Sequence, residues 1–224
     1  MITVHHLEDS RSQRVLWLLE ELGLDYQVKR YERDRKTSLA PPELKAVHPL
    51  GKSPVITDDD LVVAETGAII EYVLDKYGKG RLAPPVGSPE RLRYTYWMHA
   101  AEGTVMPLLV MALIFGRIET DTPWFLRPIA KVISSQVRSA YLGPNLEANL
   151  ANIEAELGRG TWFAGDEFTA ADVQMSFPLE AAATRIEMGS KYPKIEAFLE
   201  RIHQRPAYKT ALAKGGPYAY GPKG

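Results

Sequence analysis

A chain of 224 residues with 27 Lys and Arg against 28 Asp and Glu carries a formal charge of −1, which excludes the basic excess that nucleic acid or anionic lipid requires of a main partner. Its 45% hydrophobic and 25% charged residues are enough for one large packed domain or two small ones. The cysteine count is zero, so disulfides, thiolate metal sites and a cysteine nucleophile are all excluded, and any thiol chemistry must use a thiol brought by a ligand. In chain order, MITVHHLEDS lacks the basic n-region and apolar core of a signal peptide, and no apolar run approaches a membrane span, which predicts a cytoplasmic location. ITVHHL reads as a short strand. SQRVLWLLEELGL places Val15, Leu16, Leu18, Leu19 and Leu22 at helical spacing and stops at Gly23. DYQVKRYER is a second strand, and the irregular stretch after it holds one short helix at PELKAV. SPVITDDDLVVAE is a hairpin whose three-residue loop is Asp58, Asp59 and Asp60, and TGAIIEYVLDKYG is an amphipathic helix ending at Gly78.

The order β-α-β-(α)-β-β-α predicts an α/β unit on a four-stranded mixed sheet, with the first two strands parallel and the last two antiparallel. The Gly- and Pro-rich stretch 80–88 is the expected linker between a first domain at 1–79 and a second at 89–224. Everything beyond it has a helical pattern, including a long apolar stretch with a kink at Pro107. In GDEFTAADV, Thr169 and Asp172 have capping-box spacing, with Phe168 and Val173 at the staple positions, which sets the start of a buried helix.

Three places carry candidate chemistry. The stretch LEDSRSQRVLWLLEEL has two serines, Ser10 and Ser12, where a helix start needs only one hydroxyl. Ser53-Pro54 opens a strand, where proline marks either an ordinary strand entry or a cis bond beside unpaired backbone that can clasp an extended ligand. Glu65 and Thr66 stand at a helix N-terminus; capping is their default role, and an α-amino-acid head group fits the same atoms. The loop series Arg30, Arg33, Arg35, Lys36, Lys45, His48 and Lys52 is basic, with Lys52 beside the Ser53-Pro54 turn. His5 and His6 alternate on a strand, so they do not act together, and the Ser/His pairs have no spacing that suggests a triad.

The stretches DSRSQRVLWLLEELGL, PPELKAVHPLGKSPV, AETGAIIEYVL and GDEFTAADVQMSFPL, in this order, resemble the glutathione transferase family over essentially the whole chain, and in particular its fungal and bacterial branch typified by yeast glutathione transferase I. The resemblance implies a thioredoxin-like N-terminal domain, an all-helical second domain, and a homodimer that uses glutathione as co-substrate. It implies conjugation of the glutathione thiolate to small hydrophobic electrophiles, with reduction of organic hydroperoxides as a further activity. Glutathione-dependent disulfide exchange and a non-catalytic binding role on the same fold are its rivals.

By the same resemblance, Pro54 is cis and the backbone before it bonds the cysteinyl part of glutathione. Ser53 stands where the family usually has a hydrophobic residue, which leaves that backbone bonding intact. Glu65 and Thr66 grip the γ-glutamyl end, and Lys52 and His48 lie near the glycyl carboxylate. Counted back from a helix start at Arg14-Val15, Ser10 falls at the position of the sulfur-facing serine, with Ser12 the fallback for that catalytic role and the better N-cap of the two, and Arg11 adding positive potential. The acceptor pocket is expected along the first half of the long helix, at Tyr94, Trp97, Met98, His99 and Met106, although an apolar stripe at this spacing is more often core. Glu102 is expected to reach glutathione across a dimer interface, or else to form a surface or intrahelical ion pair.

Overall fold

The computed structural model describes residues 1–222. Its sheet has the order β2-β1-β3-β4, from β1 (Ile2–Leu7), β2 (Tyr26–Tyr31), β3 (Val55–Asp58) and β4 (Leu61–Ala64). β1 and β2 run parallel, joined by α1 (Ser12–Glu21) as the crossover helix, while β1–β3 and β3–β4 are antiparallel. The short helix α2 (Glu43–Val47) and then α3 (Thr66–Val73), which continues as a π-helical turn to Gly78, complete the unit. Val4 and Ile56 of the sheet, Val15, Leu16, Leu18 and Leu19 of α1, and Ile69, Ile70 and Val73 of α3 are all sealed in one core. Full burial of each such side chain contributes roughly 1.5–3 kcal/mol, which outweighs the modest rotamer entropy of aliphatic residues.

The hairpin differs from its expected form. Asp58 pairs with Leu61 across the ladder, so the turn is the two residues Asp59 and Asp60, with Asp59 at φ 52°. Asp58 is a buried strand residue whose carboxylate takes bonds from Tyr72 (2.7 Å), Lys76 (2.7 Å) and Tyr77. The N-terminal amine lies 3.4 Å away. Burial opposes its charge, but Lys76, the two tyrosines and the amine outweigh burial and hold Asp58 well below the ordinary 3.8 of an aspartate. Stability from this group is therefore present above pH 3.8 and lost as acid titrates the folded carboxylate. The Asp58→Asn variant is expected to melt below the parent at pH 7, with the gap closing in acid; a gap that stays constant across that range removes Asp58 from the acid limb.

The second part is helical: α4 (Pro89–Ala100), α5 (Met106–Asp121), α6 (Arg127–Val137), α7 (Gly143–Leu157), α8 (Ala170–Ala183), α9 (Pro193–Gln204) and α10 (Pro206–Gly215). Ser88 caps α4 by accepting the Arg91 N–H at 3.2 Å. α4 and α5 form one 33-residue helix, because the π-helical turn Ala101–Val105 carries the chain past Pro107 without a break. By length and composition this helix is apolar enough to span a membrane, contrary to the expectation that no apolar run approaches a span. Here its α4 half packs against α8 as core. Pro206 divides the last helical stretch in two, and α10 turns back to pack on α1.

Candidate active site

A cleft of about 600 Å³ opens between the β1–α1 turn, the loops before β3, α5 and the end of α8. One half is cationic, lined by Arg11, Arg33, Lys52 and Ser53 of the loops and Lys45 of α2; the other is apolar, lined by Met106, Leu109, Val110, Leu113 and Phe177. Arg185 also reaches the cleft, and among the described residues Asp9 is the only carboxylate on its wall. The site therefore favours an anion within a nearly neutral protein.

Ser10 lies where the two halves meet. The chain turns at Asp9, whose φ of 47° is unusual for a residue with a side chain. Arg33 holds this turn by donating to the carbonyls of Glu8 (3.1 Å) and Asp9 (3.3 Å), while the Ala219 N–H donates to Asp9 Oδ1 at 2.7 Å. The helix then starts at Ser12, two residues earlier than expected, and the roles of the serines change. Ser10 Oγ accepts the Ser12 N–H at 3.2 Å, so Ser10 satisfies the free amide of the first turn. Ser12 is not the N-cap: it is fully buried, and its hydroxyl turns inward to His6 Nδ1 at 2.8 Å. Ser10 lines the cleft and Ser12 does not.

His6 lies behind the cleft wall, bonded to Ser12, and pattern reading missed it. Its signal is topological: the last inward-facing residue of a strand meets the first turn of the crossover helix, here six residues on. His5 faces the other side, bonded to Tyr31 Oη at 2.9 Å.

The Ser53–Pro54 bond is cis, and Ser53 Oγ donates to the His5 carbonyl at 2.9 Å, which fixes this loop on β1 beside Ser10. Lys52 lines the cleft; His48 does not, and its Nδ1 accepts the Leu50 N–H at 3.4 Å. Glu65 and Thr66 lie outside the lining residues, at the start of α3. Glu65 is exposed at φ 73°, and its carboxylate makes no cap bond, so capping does not account for it. Thr66 is buried and accepts from Arg14 Nη2 at 3.3 Å.

Arg14 ties these parts together. Its side chain is sealed, and burial works against its charge, with Glu102 as the compensating carboxylate. Its Nη1 donates to the Gln174 carbonyl of α8. That carbonyl is free because Pro178, four residues on, has no N–H to close the helical bond. Glu102 also lies 3.5 Å from Arg11 Nε. The acidic arm expected to reach a second protomer is thus engaged within its own chain, as the counter-charge of a buried arginine.

The expected acceptor residues are largely corrected. Tyr94, Trp97 and Met98 are at most 5% exposed and belong to the core, where Trp97 packs on Phe163, and His99 faces outward. Only Met106 of that set lines the cleft. The helix reaches the cleft after its π-helical turn, so its second half, not its first, forms the apolar wall. The C-terminal tail adds Tyr220, packed on Phe177 and Tyr218 and delivered by the Tyr218 hydroxyl bonding the buried Glu180 at 2.8 Å.

Comparison with known proteins agrees with this architecture. Residues 1–75 match the family model described as "Glutathione S-transferase, N-terminal domain", and residues 137–206 match "Glutathione S-transferase, C-terminal domain". Glutathione S-transferase 3 of Schizosaccharomyces pombe is 36% identical over 214 residues, covering 96% of this chain and 88% of that protein. The chain belongs to the glutathione S-transferase family. Glutathione S-transferase 1 of Saccharomyces cerevisiae is 30% identical over 223 residues, covering 96% and 95% of the two chains. Among solved structures, a glutathione S-transferase from Actinobacillus pleuropneumoniae superposes with a TM-score of 0.81 at 35% identity, over 98% of this chain and 95% of that one. The fold is shared more widely: a sphingomonad glutathione S-transferase, solved in complex with glutathione, has a TM-score of 0.73 at 24% identity over 96% and 98% of the chains.

Proposed function

We propose that this family member binds glutathione along the cationic half of the cleft, holds its sulfur as thiolate at Ser10, and adds it to small hydrophobic electrophiles in the apolar half. The observation that carries this reading is the position of Ser10: one hydroxyl at the seam between a cation-lined groove and an apolar wall, at the start of a helix. Glutathione is a net anion at neutral pH and suits Arg11, Arg33, Lys45 and Lys52. The backbone beside cis-Pro54 bonds its cysteinyl part, with Lys52 near the glycyl carboxylate and Glu65 and Thr66 at the γ-glutamyl end. The bound thiolate is stabilised by the Ser10 hydroxyl, by the positive end of α1 and by Arg11. It attacks an electrophilic carbon, the carbon–sulfur bond forms, and the leaving group departs with the displaced electron pair. Met106, Leu109, Val110 and Leu113 bury the acceptor, and organic hydroperoxides are a second acceptor class.

The same reading makes the protein a cytoplasmic homodimer, for which the exposed Leu61 and Val62 of β4 and Leu92 and Tyr96 of α4 offer apolar surface. The test is glutathione calorimetry together with turnover on a panel of aryl halides, hydroperoxides and mixed disulfides. Binding with aryl halide conjugation supports the reading; binding with only disulfide exchange replaces it by the oxidoreductase reading, and no binding ends it. Within that test, Glu65→Ala is expected to weaken glutathione by about 1.5–3 kcal/mol, the scale of a charge-assisted hydrogen bond. Unchanged affinity in a folded variant takes Glu65 out of the site.

A further inference from the structure

Behind Ser10 a line of hydrogen bonds runs into the protein and ends on a histidine. Ser10 Oγ lies 2.7 Å from Ser12 Oγ, which lies 2.8 Å from His6 Nδ1. All three residues are buried, at 5%, 0% and 2% exposure. The opposite ring nitrogen of His6, Nε2, faces Gly215 at the end of α10, whose carbonyl favours a hydrogen on that nitrogen. Glycine is what allows this approach: a Cβ at Gly215 would come within 3.2 Å of His6 Nε2 and 2.6 Å of Gln13 Oε1.

The Ser12 hydroxyl has two acceptors within reach, His6 Nδ1 at 2.8 Å and the Leu7 carbonyl at 3.4 Å, and the shorter contact sets its direction. The ring is neutral, because burial first and Arg30 of β2 second push it down to about 4, against a smaller opposing pull from Asp9 and the Gly215 carbonyl. A backbone carbonyl can only accept, so the single ring hydrogen sits on Nε2 and Nδ1 is an acceptor. Nδ1 takes the Ser12 hydroxyl hydrogen. Ser12 Oγ, having given its hydrogen away, takes that of Ser10. Ser10 Oγ accepts the Ser12 N–H and shows the cleft a lone pair.

We propose that His6, acting through Ser12, is a positioning residue that holds the Ser10 hydroxyl hydrogen inward, so that Ser10 meets the bound thiol as an acceptor and must turn that hydrogen outward when the thiolate forms. The inference rests on the reading of Ser10 as the sulfur-facing hydroxyl. Turning outward breaks the 2.7 Å bond and leaves two oxygens facing each other with no hydrogen between them. The relay thus opposes part of the stabilisation that Ser10 gives the thiolate. His6 is too weak a base to take the thiol proton, which leaves to water in the open cleft while its electron pair stays on sulfur. Charged side chains beside Ser10 include Asp9, Arg11 and Arg33 of the cleft wall, and Glu102, 3.5 Å from Arg11.

The experiment is thiolate ultraviolet absorbance against pH in the glutathione complexes of the parent and the Ser10→Ala, Ser12→Ala and His6→Phe variants. Ser12→Ala removes the competing acceptor and keeps the backbone N–H on Ser10, so the thiol pKa is expected to fall by about 0.5–1. In His6→Phe the ring volume stays, the Ser12 hydrogen divides between Ser10 and the Leu7 carbonyl 3.4 Å away, and a fall smaller than that of Ser12→Ala is expected. Should His6→Phe fail to fold, because the Gly215 carbonyl loses its donor, Ser12→Ala still decides. A Ser12→Ala titration that rises or does not move, with Ser10→Ala raised, overturns the relay and leaves the Ser10 reading standing. If Ser10→Ala itself leaves the titration unmoved, Ser10 does not stabilise the thiolate, and the relay falls together with the serine-type reading.

Discussion

Replacing Ser10 by alanine is expected to raise the pKa of the thiol of bound glutathione by about one to two, since a hydrogen bond to a charged group is worth roughly 1.5–3 kcal/mol and each pKa unit about 1.4. Turnover near neutral pH should fall about tenfold to a hundredfold in step, then recover partly in alkaline buffer, where thiolate forms without help. Affinity for S-methylated glutathione, which has no thiol to ionise, should stay near the parent's. The substitution also removes the acceptor for the Ser12 N–H, so a small loss of stability accompanies the kinetic effect. The geometry separates the two serines: Ser10 is on the cleft wall, while Ser12 is sealed behind it. An unmoved thiolate titration in Ser10→Ala would transfer the role to the α1 N-terminus and Arg11 and end the serine-type reading.

Legibility followed the range of the interaction. The alternation of strand and helix signals to Gly78 is a local pattern, and the sheet order and strand directions agree with it. The capping box at Thr169 and Asp172 is likewise local, four residues with a fixed geometry. The acceptor wall was not legible because Tyr94 and Leu109 lie on one continuous apolar helix, and nothing in the pattern says where α8 ceases to cover it. Asp58 was misplaced because three consecutive aspartates look like loop; its partners Tyr72, Lys76 and Tyr77 are 14 to 19 residues away. His6 was missed for a related reason, since its bond to Ser12 becomes visible only once the strand and crossover helix are packed. Arg14 illustrates the same limit: Pro178 frees a carbonyl locally, but a donor 160 residues away in sequence takes it.

Replacing Asp172 by alanine is expected to lower stability by about 2–4 kcal/mol, above the usual loss of about 0.5–2 for a helix cap, because this carboxylate does more than cap. It is fully buried, with Oδ1 accepting the Phe163 N–H at 2.9 Å and Oδ2 accepting the Thr169 N–H at 2.8 Å and its hydroxyl at 3.1 Å. Alanine leaves these buried donors without an acceptor and loosens the junction between the Phe163 turn and α8. For a chain of this length the melting temperature should drop by about 5–12 °C. The pH dependence gives a second signature. Burial pushes Asp172 up to about 7 against the pull of those donors, from an ordinary 3.8. The folded state then binds the proton more tightly than the unfolded state, so the contribution of Asp172 is fullest below pH 3.8 and declines as pH rises to about 7. The penalty of Asp172→Ala is therefore larger at pH 5 than at pH 8, and melting curves of parent and variant at the two values measure the difference. Glutathione affinity of the folded variant should match the parent's, because Asp172 lies outside the cleft lining. A variant with unaltered melting but no turnover would instead make Asp172 a catalytic group.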